Sequence, residues 1–106
     1  MNTFQVSETA DKIISLLNHN LSLFDGFVNV YLFGSVLKKT NEVPEDIDIV
    51  LIYTEQSETL LSSLETIRST LSDCSGMRID LTVLSDVEEK EVCFLSRLNS
   101  CYIKVK

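Results

Sequence analysis

The chain has 106 residues, 44% hydrophobic and 24% charged, which suits one folded domain with a modest core and excludes a disordered chain. Sixteen acidic residues against nine basic ones give a net charge of −7. Such a surface repels phosphate backbones and excludes a general nucleic-acid binder, although divalent cations can still bridge an acidic protein to a nucleotide.

The opening, MNTFQVSETADK, has neither a basic start nor an apolar run, so no signal peptide is expected. No stretch approaches the roughly 20 apolar residues of a membrane span, and a cytoplasmic protein is the expectation. Cys74, Cys93 and Cys101 are odd in number, match no zinc spacing and read as reduced thiols.

In chain order, residues 7–24 carry Ile13, Ile14, Leu17, Leu21 and Phe24 at helical spacing, with Ser7 as N-cap. His19 belongs to the surface or C-terminal end of that helix. Asp25-Gly26 breaks the element, and residues 28–33 read as a strand ended by Gly34. A polar connection over 35–45 leads to a near-continuous apolar run over 47–53, typical of a strand covered on both faces. Residues 57–73 place Leu60, Leu64, Ile67 and Leu71 in one helical stripe, and Gly76 stands where a C-terminal cap belongs.

Residues 78–84 form a third strand in which Ile79, Leu81 and Val83 alternate with Arg78, Asp80 and Thr82. Ser85-Asp86-Val87-Glu88 is a capping box opening a last helix with Val92, Leu95 and Leu98 on one side. The tail over 101–105 predicts a short edge strand protected by Lys104. The order α-β-β-α-β-α-β predicts an α/β (α+β) sandwich, a small mixed sheet packed by helices, forming one domain over 1–106.

The chemistry-bearing pattern is Gly34-Ser35, ten residues, then Asp46-Ile47-Asp48. Side chains two apart on a strand share a face, so Asp46 and Asp48 project together. Two carboxylates so close stay ionised only with a cation between them, and magnesium accepts a few carboxylates beside phosphates and water. Asp80 also interrupts an apolar strand. On a neighbouring strand it completes a three-carboxylate cluster able to hold two ions. Gly34 lets backbone approach a phosphate, and the amides after it, with the Ser35 hydroxyl, complement the acids.

This constellation resembles the polymerase-beta-like nucleotidyltransferase superfamily, and most of all its minimal members. The resemblance implies the nucleotidyltransferase fold, triphosphate binding by Gly34 and Ser35, and metal binding by Asp46 and Asp48. It also implies a role for Asp80 at the attacking hydroxyl, as metal ligand and base. Lys38, the first cation after Ser35, is a further nucleotide-binding candidate, though a plain solvated loop is the preferred reading of Lys38 and Lys39. The activity implied is magnesium-dependent transfer of a nucleoside monophosphate, AMP from ATP or its counterpart from another triphosphate, to a hydroxyl. No extra domain is left to hold an acceptor, so a homodimer or partner protein is expected, and minimal members are often antitoxins of HEPN-type toxins. Val36-Leu37 follow Ser35 where many minimal members carry a basic residue, and Glu45 precedes Asp46 where a small residue is common. Those departures favour the alternative, a catalytically weak antitoxin that works as a protein-binding module. For Arg78, pairing with a neighbouring acid is the plainer reading.

Overall fold

A computed structural model describes residues 8–33, 46–92 and 102–106. The first helix, α1, spans Glu8–His19 and is shorter than the periodicity predicts. The His19 ring nitrogen Nδ1 lies 2.7 Å from the Ser15 carbonyl, and Asn20 Nδ2 donates to the Leu16 carbonyl at 2.8 Å. Side chains thus satisfy carbonyls left open at the helix end. A 3-10 turn over Leu21–Phe24 follows, and its tighter winding still delivers Phe24 into the core. The expected Ser7 cap lies outside the described residues.

Strand β1 (Asn29–Phe33) pairs antiparallel with β2 (Asp46–Tyr53), in the register Val30↔Leu51 and Phe33↔Asp48. Helix α2 (Glu58–Ser75) begins at Ser57, whose hydroxyl accepts from the Leu60 amide at 3.1 Å. It ends at Gly76, which holds φ 70°, ψ 13° and donates its amide to the Ser72 carbonyl. A Cβ at Gly76 would meet no atom within 4 Å, so only the left-handed backbone opposes substitution. Gly76→Ala is therefore expected to cost on the order of 1 kcal/mol, read as a melting temperature lower by about 4–8 °C.

Strand β3 (Arg78–Ser85) runs parallel to β2. Helix α3 (Asp86–Val92) opens with the expected capping box: the Glu88 amide donates to Ser85 Oγ at 3.0 Å, and the Ser85 amide to Glu88 Oε1 at 2.9 Å. Leu95, Leu98 and the side chain of Val92 lie outside the described residues. Strand β4 (Tyr102–Lys104) pairs antiparallel with β1 at the sheet edge, as predicted. Beyond it, the Val105 amide reaches the Val30 carbonyl at 2.7 Å, and Lys106 Nζ donates to the Phe24 carbonyl.

The four strands among the described residues lie in the order β3-β2-β1-β4. One sheet face presents Val30, Leu32, Ile47, Ile49, Leu51 and Ile79 to Ile13, Leu17, Leu60, Ile67 and Leu71 of the helices, with Phe24 and Phe27 closing one end. Leu64 packs at its margin. The opposite face carries Asp46, Asp48, Val50 and Ile52 of β2, and α3 folds back over β2 and β3. Val50 and Ile52 are as buried as their neighbours, so β2 is covered on both sides along most of its length. No helix among the described residues is long and apolar enough to cross a membrane.

Candidate active site

The acids collect where β2 and β3 begin. Parallel pairing sets Asp46 opposite Arg78 and Asp48 opposite Asp80. Because the strands alternate in phase, Asp46, Asp48, Arg78 and Asp80 share one face, away from the main core. Neighbouring strands are about 4.8 Å apart, so Asp48 and Asp80 are cross-strand neighbours. The chain leaves β1 at Phe33, the partner of Asp48, and re-enters at Asp46. Both ends of the connecting segment thus lie at the acidic end of the sheet. Gly34, Ser35, Lys38, Lys39 and Glu45 fall within that segment, outside the described residues.

The electrostatics follow from this crowding. Partial burial, then the charges of Asp80 and Asp46, push the Asp48 carboxyl above the usual aspartate range. Arg78 offsets part of the negative charge, its Nε lying 3.4 Å from Asp80 Oδ1. This pair is solvent-exposed, with side chains 75% and 40% accessible, so it is weak and easily exchanged. An edge-strand charge and a functional acid are equally good readings of Asp80 from the sequence; among the described strands β3 lies at the sheet edge, and Asp80 pairs with Arg78 as the plainer reading of that arginine has it.

Three hard carboxylate donors suit magnesium. Among the described residues no three acidic, histidine or cysteine side chains are gathered closely enough to hold an ion as they stand. One Asp80 oxygen, Oδ1, is turned towards Arg78. All three acids are only part-buried, which leaves their rotamers free to close.

Sequence reasoning passed over the aromatic side of this face. Tyr102, Phe33, Asp48 and Asp80 form one row across the four strands, from β4 to β3. Tyr31 sits in the next row, its ring 5.3 Å from that of Tyr102 in an edge-to-face contact. Burial, then Tyr102 and Glu89, raise the Tyr31 hydroxyl above its ordinary pKa. Only cross-strand register brings these rings beside the acids, and sequence periodicity carries no register.

This mixed sheet, with acids at one strand end, fits the nucleotidyltransferase fold. The family model described as Polymerase beta, Nucleotidyltransferase matches residues 11–98, and the chain belongs to that family. No curated protein matches the sequence. Among solved structures, a tri-AMPylated Shewanella oneidensis HEPN toxin in complex with MNT antitoxin contains a chain that is 17% identical, with a TM-score of 0.54. That match covers 92% of this chain and 69% of the other. A mutant of the toxin–antitoxin MntA–HpeT is similar at 18% identity and a TM-score of 0.56, covering 92% and 72%. A Sulfolobus solfataricus protein inferred to be a nucleotidyltransferase matches at 19% identity and a TM-score of 0.51, covering 92% and 82%. At these identities the likeness is one of fold.

Proposed function

We propose that this chain transfers a nucleoside monophosphate, AMP from ATP, to a hydroxyl group of a partner protein. The observation that carries the reading is the Asp48–Asp80 register on one sheet face, with Asp46 beside them and the Asp48 carboxyl raised by its neighbours. Carboxylates crowded at a strand end are destabilising without a use, and such perturbed groups concentrate at functional sites. In the reaction, the acceptor oxygen bonds to the α-phosphorus, the bond to the bridging oxygen breaks, and pyrophosphate leaves. Asp80 takes the hydroxyl proton. Asp46 and Asp48 hold the divalent cations, which when bound neutralise the triphosphate and favour attack. Gly34 and Ser35, with Lys38, serve the triphosphate from the segment that joins β1 to β2.

Fold and charge together support a partner protein. Two of the similar structures contain toxin–antitoxin pairs, one of them with an AMPylated HEPN toxin. An acidic protein of net charge −7 complements a basic RNA-binding toxin. The acceptor in this reading is a hydroxyl on a HEPN-type toxin.

The Arg78–Asp80 pair favours a second reading, a catalytically weak antitoxin that neutralises its toxin by contact. One experiment separates the two: the protein is incubated with labelled ATP, magnesium and the candidate toxin beside an Asp46→Ala/Asp48→Ala variant. Label on the toxin that vanishes with the variant supports transfer. Neutralisation that survives the double substitution, with no label in either sample, establishes the binder instead.

A further inference from the structure

We propose that Phe33 and Tyr102 form a stacking shelf for the base of the bound nucleotide, whose phosphates face Asp46, Asp48 and Asp80; this rests on the nucleotide-binding reading above. Cross-strand register carries the inference. Phe33 is the direct β1 partner of Asp48, and Tyr102 is the β4 partner of Phe33. The three therefore lie side by side on one face, at successive steps of about 4.8 Å. Two steps reach from the acids to the Tyr102 ring, a span suited to a ribose joining phosphate to base. Tyr102 and Phe33 are half-buried, and so is Tyr31, whose edge-to-face contact at 5.3 Å braces the Tyr102 ring.

On the opposite face of β1, Val30 and Leu32 are fully buried in the main core, whereas Tyr31 and Phe33 keep part of their surface in solvent. A part-exposed aromatic row ending at two carboxylates joins a π surface to a charged site, as a nucleoside triphosphate does. Stacking accepts any base but is strongest for purines, because their π surface is larger.

The shelf makes base and phosphate affinities separable. Binding of magnesium–ATP, magnesium–CTP and magnesium–tripolyphosphate is measured calorimetrically on the full chain for wild type, Tyr102→Leu and Tyr102→Phe. Wild type is expected to prefer ATP over CTP. In Tyr102→Leu, ATP affinity is expected to fall by about 10-fold to 100-fold and the ATP preference to shrink, while tripolyphosphate binds as in wild type. Tyr102→Phe keeps the ring and retains wild-type ATP affinity, so it stands in should the leucine variant fold poorly: a large loss in it overturns the shelf. Equal losses for ATP and tripolyphosphate in Tyr102→Leu mark a merely structural role and overturn it too, as does an unchanged ATP affinity. A wild type that binds tripolyphosphate but shows no added affinity for ATP refutes the shelf alone. A wild type that binds neither refutes the nucleotide reading beneath it.

Discussion

Asp48→Asn is expected to raise the melting temperature of the free protein and to cut nucleotidyl transfer by about 100-fold or more. The two effects have one cause. Asp48 is part-buried and faces Asp80 across the strand pair with Asp46 two residues away, so its charge is disfavoured in the folded state. Asparagine keeps the shape and removes the repulsion, but it surrenders a carboxylate that the reaction needs. The pH dependence follows with a definite sign. The folded protein holds the Asp48 proton more tightly than the unfolded chain does, so the stabilising contribution is fully present below the unfolded pKa. It is lost as pH rises through the raised folded value, and above that pH it stays lost. In thermal denaturation from acid to neutral pH, wild type should show this decline and Asp48→Asn should lack it. Equal melting temperatures at neutral pH, with matching pH profiles, would show that the acids do not repel one another.

Leu51→Ala should unfold the protein at far lower temperature than wild type. Leu51 is fully buried in β2, an interior strand of the sheet, and it pairs with Val30 and Val83. Removing its isobutyl group costs about 2–5 kcal/mol, because the packed neighbours cannot collapse into the void. Against a total stability of about 5–15 kcal/mol, that loss amounts to a fall on the order of 10–30 °C in melting temperature. Leu61→Ala is the control, since Leu61 on α2 is 51% exposed and should shift stability by less than about 0.5 kcal/mol. Comparable shifts for the two variants would contradict the assigned core. Loss of activity in Leu51→Ala should track unfolding, whereas Asp48→Asn loses activity while fully folded.

Much of the fold was legible because its signals are local. Gly76 ends α2 as capping chemistry dictates, and Ser85 with Glu88 opens α3 by reciprocal hydrogen bonds. The apolar run of β2 correctly announced burial on both faces. The end of α1 was misread because apolar spacing continues through Leu21 and Phe24, while the side chains of His19 and Asn20 close the helix first. Phe27, fully buried beside Phe24, follows a glycine and sits in no periodic element, so pattern reading had no means to find it.

For the site, the spacing Gly34-Ser35-x10-Asp46-x-Asp48 was enough to name a family, and the match over residues 11–98 establishes it. Residue identity and local periodicity determined the elements, their order and the shared face of Asp46 and Asp48, since a strand alternates whatever its neighbours do. Tertiary structure alone decided that β3 lies parallel to β2 in the register Asp48↔Asp80. It alone decided that Phe33 and Tyr102 continue the same row. Register depends on which apolar faces bury together across residues far apart in the chain, and a one-residue slip would turn every one of these side chains to the opposite face.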